Sequence, residues 1–366
     1  MLAVLLPLPS HPFLQSTTLS LLSHLLSRST STHSLESHKI PVLLSEILST
    51  PPKDQSVLPS WLEVVENGMI SWAHDDPAGA EKEFGRVWGI VWAHLESVEG
   101  REKGVGKAAE KALAGMVRYC ITEGMVFAAV AELSKAGSSS TAPVPTGKKN
   151  KKQIHQQNKP AADAPILTQI IATLQTALHV LRAIPYLSST LTIVSALLSR
   201  LRVRVASASS SSAYDPRAPT AAQLLLLGCV ADVGELRIQK GFELRERADE
   251  VLGMAVEVIG PEGVLSTLPL NIEPDRDASL PGRAFLLPIL RAKTTNTTLA
   301  YFTNVFVPLS ERLFNAKTLA ERSRPIEGKV YEALVDQVWA CLKGFCDLPV
   351  DLPKVSRLSS VRMRVG

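Results

Sequence analysis

The feature that most constrains this chain is an apolar stripe that recurs at helical spacing. In "APILTQIIATLQTALHVLRAIP" the residues Leu167, Ile170, Ile171, Leu174, Leu178 and Leu181 recur mostly three or four positions apart, which puts them on one face of an α-helix. Pro165 is placed to start that helix and Pro185 to close it. "IEGKVYEALVDQVWACLKGFC" repeats the pattern with Val330, Leu334, Val338 and Leu342, and Gly344 stands where a helix would stop. "GRVWGIVWAHLESV", "KAAEKALAGMVRYCITEGMVFAAVAELSK" and "TAAQLLLLGCVADVGEL" read the same way. So does "LRERADEVLGMAVEVIG", which ends at the Gly260-Pro261 breaker. One segment has another period. In "RLRVRVAS", Arg200, Arg202 and Arg204 alternate with Leu201, Val203 and Val205, the two-residue period of a strand. It runs straight on from "SSTLTIVSALLS", so we read it as a helix end with a basic rim.

A helix that is apolar on one face cannot bury that face alone. Here the helical segments follow one another across short Gly/Pro turns, and pairs recur roughly every 40 to 50 residues, in the HEAT and armadillo range. No strand-like segments alternate with them, which disfavours parallel α/β enzymes. Hydrophobic content of 45% permits a large core, and an aromatic share of only 5% suits packed helices better than β-sandwiches. The expected fold is all-α: a HEAT/armadillo-type α-solenoid of stacked helical hairpins. We divide it into N-terminal helical repeats (1–135), an insertion (136–163), a helical repeat (164–206), a Ser-rich loop (207–219), further helical repeats (220–352) and a basic tail (353–366).

The insertion, "AGSSSTAPVPTGKKNKKQIHQQNKPAAD", has almost no large apolar residues and is expected to be disordered. It carries Lys148, Lys149, Lys151 and Lys152, a candidate nuclear-import signal or RNA contact as well as an ordinary solubilising run. The net charge of +4 permits a polyanionic partner without requiring one. With the lysines, Arg200, Arg202 and Arg204 are candidate RNA or partner contacts, and the tail adds Lys354, Arg357, Arg362 and Arg364. No aromatic residues interleave with these cations, so any RNA contact is expected at phosphates. At the N-terminus "MLAVLLPLPS" is interrupted by Pro7, Pro9 and Pro12, well short of the ~20 apolar residues of a membrane span. The first 35 residues are Ser-rich and acid-free, but Arg28 is their one Lys or Arg; "LAVLLPLPSH" and "QSTTLSLLSHLLS" read as a helix pair in preference to a mitochondrial presequence.

Catalytic patterns are weak. Cys120, Cys229, Cys341 and Cys346 are too scattered for a disulfide framework or a zinc site and read as small buried residues of a reducing compartment. The eight histidines show no HExxH spacing, and His74 beside Asp75 and Asp76 reads as a helix C-terminal cap. "GVGKAAEKA" lacks the first glycine of a phosphate loop, with Arg101 in its place, and Ala108 stands where Ser or Thr would meet magnesium. We expect no enzyme activity, cofactor or metal, and no small-molecule substrate or membrane.

Four stretches then speak together: "VIGPEGVLSTLPLNI", "PGRAFLLPILR", "LAYFTNVFVPLSERL" and "KVYEALVDQVWACLKGFCDLPVDL". In order and spacing they resemble consecutive signatures of the ribosomal RNA-processing protein 12 family, HEAT-repeat proteins of the nucleolus and nucleus. The resemblance is dense over about 251–352, and "LPSWLEVVENGMISW" is compatible with the family's earlier repeats. Where the family usually reads Gly-Arg-Ala-Trp-Leu-Leu-Pro, this chain has Phe285 for the Trp. Family members are several times longer, so the chain reads as a part of one. The resemblance implies a non-catalytic scaffold in ribosomal RNA processing, small-subunit precursor maturation and pre-ribosome export. Its implied partners are pre-ribosomal proteins, pre-rRNA and nuclear transport factors, and its implied place is the nucleus and nucleolus with shuttling to the cytoplasm. A karyopherin-like transport adaptor is the alternative.

Within the signature, Pro281, Gly282, Arg283, Phe285, Leu286, Leu287 and Pro288 read as structural. "EGVLSTLPL" should form a short helix and "NIEPDRDASLPG" should cross to the next repeat, with Pro281-Gly282 starting the helix that follows. Arg283 should lay its stem on apolar surface and reach a carboxylate (Glu262, Asp275 or Asp277) or the crossing loop's carbonyls. Pro288 should kink its helix, and Phe285 and Ile289 should share its anchoring face.

Overall fold

The computed structural model describes residues 11–27, 37–97, 104–138, 164–179, 185–205, 218–277 and 279–351. The four lysines at 148–152, most of the 136–163 insertion and of the 207–219 loop, the tail from 352 and the first helix of the N-terminal pair lie outside these residues. The described residues are overwhelmingly helical; their one β feature is an isolated antiparallel bridge between Arg204 and Thr220. The all-α expectation holds. The chain divides into two compact units, residues 1–200 and 201–366.

The first unit contains α1 (Pro12–Leu26), α2 (Ile40–Ser49), α3 (Leu58–Asp75), α4 (Pro77–Glu96), α5 (Val105–Cys120), α6 (Glu123–Ser138), α7 (Ile166–His179) and α8 (Leu187–Arg200). Pairing is of the repeat kind: α3 packs on α4, both pack on α5, and α5 also meets α8. The helices start where the local chemistry says they should. Pro77 occupies the first turn of α4, where its missing N–H costs nothing. The Asp76 carboxylate accepts the Gly79 N–H at 3.0 Å. Asp76 also follows α3 directly, its own N–H bonding to the Trp72 carbonyl. The His74-Asp75-Asp76 cluster is therefore a helix junction, in which the N-cap of α4 matters as much as the C-terminus of α3. Gly104, at φ +78, enters α5 in a conformation that only glycine adopts freely. Val105, Ala109, Ala112 and Leu113 then face the core.

The second unit contains α9 (Ala221–Ile238), α10 (Arg245–Ile259), α11 (Pro261–Thr267), α12 (Leu286–Lys293) and α13 (Leu299–Tyr301). A π-turn over Phe302–Phe306 leads into α14 (Val307–Ser323), followed by α15 (Pro325–Ala340) and α16 (Leu342–Phe345). Hairpins α9/α10 and α14/α15 flank α12, which touches α10, α15 and α16. The Gly260-Pro261 break appears as expected: Gly260 takes φ +93 and Pro261 opens α11. Phe302, Phe306 and Phe345 are fully buried together, with ring centroids 5.3–5.4 Å apart. The π-turn places Phe302 and Phe306 in a near-parallel stack.

Three readings of the sequence are corrected. The segment after Arg200 is not helical: α8 stops there, and the Val205 N–H bonds to Pro219 O while Val203 O accepts from Ala221. The two-residue alternation reported an extended strand-like pairing, favoured by the β-branched Val203 and Val205. Gly344 does not terminate α15, which ends at Ala340; it lies inside α16, where a Cβ would stand 2.7 Å from the Thr294 carbonyl. Close approach of two backbones is its reason for being glycine. Pro288 imposes no kink, because α12 begins only at Leu286 and the proline falls in its first turn.

Candidate functional site

The loop from Leu268 to Phe285 joins α11 to α12 and is held from both sides. Asn271, at φ +48, donates from Nδ2 to the carbonyls of Asp277 (3.0 Å) and Leu280 (2.6 Å). Asp277 accepts from both the N–H and the hydroxyl of Ser279, which hold its carboxyl below the usual range. At Gly282 a Cβ would stand 2.9 Å from the Arg276 guanidinium and 3.3 Å from Asn271 O, so a larger residue would have to displace the Arg276 side chain and crowd the turn. Pro281 is half-buried beside it.

Arg283 is the centre of this arrangement. Its side chain is only 4% exposed, and its Nη2 meets Glu235 Oε1 of α9 at 2.6 Å. Nη1 donates to Pro269 O at 3.1 Å, and its backbone N–H donates to Leu270 O at 2.7 Å. Arg283 thus ties α9 to both ends of the loop, as a planar fork can and an ammonium cannot. Arg283 was expected to reach a carboxylate or the crossing loop's carbonyls; it reaches a carboxylate, but that of Glu235 and not Glu262, Asp275 or Asp277, and its side chain meets the carbonyl of Pro269, just ahead of that loop. Those three are nearer in sequence, whereas the glutamate that packs there lies 48 positions upstream. Two residues along α9, Arg237 grips Asp249 of α10 through Nε (2.7 Å) and Nη2 (3.1 Å). The same guanidinium lies 4.8 Å from the centre of the Phe285 ring. Phe285 therefore serves as the face of a cation–π contact as well as an apolar anchor. Leu286 and Leu287 are fully buried, while Phe285 and Ile289 are half-buried and Pro288 is exposed.

The "DLPVDL" end of the signature is also structural. Asp351, buried, accepts the N–H groups of Leu299 (2.8 Å) and Ala300 (2.9 Å) and so caps α13 from 52 positions downstream. Val350 N–H to Thr297 O and Asn296 N–H to Asp347 O close the same seam. Neither Glu235 nor Asp351 was singled out by sequence reasoning. Asp351 stood inside a quoted signature; Glu235 carried no local signal at all.

The basic rim is largely occupied. Arg200 donates to Ile121 O, Arg204 donates to Ala218 O at 2.7 Å, and Arg202 pairs with Glu257 at 2.6 Å while staying half exposed. Among the cysteines, burial pushes the thiols of Cys120 and Cys229 up to about 12 and that of Cys341 to about 11. Cys346 departs from the expectation of burial: it is exposed and free. No group of His, Cys, Asp or Glu that could hold a metal occurs among the described residues.

Stacked amphipathic hairpins tied by buried side-chain clamps define a HEAT-type helical-repeat protein. The family model for ribosomal RNA-processing protein 12, HEAT repeats, matches residues 99–357, well over half of the chain, and the chain belongs to that family. A Schizosaccharomyces pombe protein named as a ribosomal RNA-processing protein 12 is 43% identical over 128 residues, covering 35% of this chain and 11% of that protein. The Homo sapiens "RRP12-like protein" is 35% identical over 125 residues, covering 34% and 10%. The Saccharomyces cerevisiae ribosomal RNA-processing protein 12 is 34% identical over 123 residues, with the same shares. The matched stretch therefore spans about a tenth of these relatives' length.

Proposed function

We propose that this chain is a non-catalytic scaffold segment in ribosome biogenesis, acting in ribosomal RNA processing, small-subunit precursor maturation and pre-ribosome export. The observation that carries the proposal is family membership across 99–357. The use of polar groups in and around the signature supports it: Arg283 and Asp351 within it, and Glu235, Arg237 and Asp249 upstream of it, are all spent on joining helices. That is how a surface-presenting repeat protein uses them. Its partners on this reading are pre-ribosomal proteins and the phosphates of pre-rRNA, its place the nucleus and nucleolus. Lys148, Lys149, Lys151 and Lys152 are the proposed polyanion contact, with half-exposed Arg202 the rim residue best placed to assist.

Gradient sedimentation of the tagged chain from nuclear extract, with sequencing of the bound RNA, tests this. We expect it to travel with small-subunit precursors and to enrich their RNA. A chain that stays in light fractions and shifts only with a transport receptor is the karyopherin-like adaptor instead. Replacing the four lysines with Gln should reduce RNA retention and nuclear accumulation; if neither changes, the cluster is a solubilising run.

A further inference from the structure

A cavity of about 990 Å³ opens between α12, α15 and the turn around α16. Leu287, Ala292 and Ala340 give it an apolar wall, and Gln337 supplies an amide. Arg291 from α12 and Lys343 from α16 face it as exposed cations. Neither cation forms an ion pair among the described residues, so both are free to meet an incoming charge. Thr294, buried at the edge of the cavity, has a hydroxyl with no partner among the described residues.

We propose that this groove binds a short acidic peptide segment carrying an apolar side chain, its carboxylates on Arg291 and Lys343 and its apolar group on the Leu287–Ala340 wall. Charge complementarity argues for carboxylates, and the volume lies at the upper end of ordinary ligand sites. The lining argues against nucleic acid. None of its residues is aromatic, so bases would have nothing to stack on. The inference rests on this groove alone and does not depend on the ribosomal reading.

Cys346 makes the test direct. Its thiol lines the groove and is exposed, whereas Cys120, Cys229 and Cys341 are buried. Alkylation of the native full chain should therefore fall on Cys346 first. The probe is an acetylated Asp-Asp-Leu-Leu-Glu-Asp peptide, with its Asn/Gln counterpart and oligouridylate as controls. We expect the acidic peptide to slow Cys346 alkylation about tenfold at a concentration about ten times its Kd. The neutral peptide should give little protection, and the double variant Arg291→Glu, Lys343→Glu should abolish it with helicity unchanged. Should that variant fold poorly, Arg291→Gln and Lys343→Gln singly must each weaken protection. No protection, protection that survives these changes, or stronger protection by oligouridylate overturns the proposal.

Discussion

Helices α3 and α15 carry apolar stripes of the same period, and the structure treats them in opposite ways. In α3, 11 of 18 residues are buried, among them Trp61, Leu62, Val65 and Met69. In α15 only Gly328 and Val338 are, and Ile326 is 79% exposed, Val330 55% and Trp339 45%. The difference lies in the neighbours. α3 is enclosed by α1, α2, α4 and α5, whereas α15 meets α14 broadly and α12, α16 and Phe302 of the π-turn only near its end. Periodicity identifies the face that can be buried; the number of elements packed around it decides how much of that face is. Stability should therefore be concentrated around α3 and thin around α15.

Two tryptophan substitutions would break that comparison with the largest effect. Trp61 is fully buried and its indole N–H donates to Ile47 O at 3.1 Å. Trp61→Ala should cost about 3–5 kcal/mol in denaturant unfolding. Trp339 makes an edge contact with Phe302 but is nearly half exposed, so Trp339→Ala should cost about 1 kcal/mol. Equal losses would mean that α15 is as enclosed as α3.

Arg283 sharpens the comparison from the other unit, where polar clamps do what enclosure does around α3. Arg283→Lys keeps the charge but cannot reach Glu235 and Pro269 O together. It should cost about 2–3 kcal/mol, more than Glu235→Gln, because the Glu235 side chain is itself half exposed and a Gln carbonyl can still accept from Arg283. If Arg283→Lys is silent by thermal melting, the fork geometry contributes nothing and the loop is held by its other bonds, those of Asn271 and of the residue-283 backbone N–H to Leu270 O among them.

These contrasts also show what the sequence could tell. The helices, the Gly260-Pro261 break and the structural use of Arg283 were legible because they depend on local period, φ and side-chain shape. What was not legible depends on which distant element arrives. Glu235 reaches Arg283 across 48 positions, and Asp351 caps α13 across 52. Gly344 looked like a helix terminator because a glycine after an apolar run usually is; only the Thr294 carbonyl beside it reveals the other reason. The alternation in "RLRVRVAS" is a strand signal that competes with the strong helical period just before it. Its partner, residues 219–222, lies beyond a Ser-rich stretch and carries no alternation of its own that would mark the pairing.

The smallest effect tests how complete the enclosure of α3 is. Glu66 lies on that helix, buried against Gly115 of α5, where a Cβ would fall on its carboxylate. Burial raises its pKa above the usual 4.5; Lys111, at 3.9 Å, offsets this only in part. The sign follows from proton binding. As pH rises through 4.5 the unfolded chain ionises first, while the folded carboxyl keeps its proton longer. The stabilisation is therefore complete below 4.5 and is lost as pH rises through the folded value. Glu66→Gln, which holds a neutral amide at every pH, should show less of this decline. Its stability relative to the parent should rise between acid and neutral pH, by less than either change above. Urea unfolding of both proteins across that range decides it. A relative stability that falls instead would mean that the Lys111 attraction outweighs burial and that α3 is wetter on this side than its neighbours suggest.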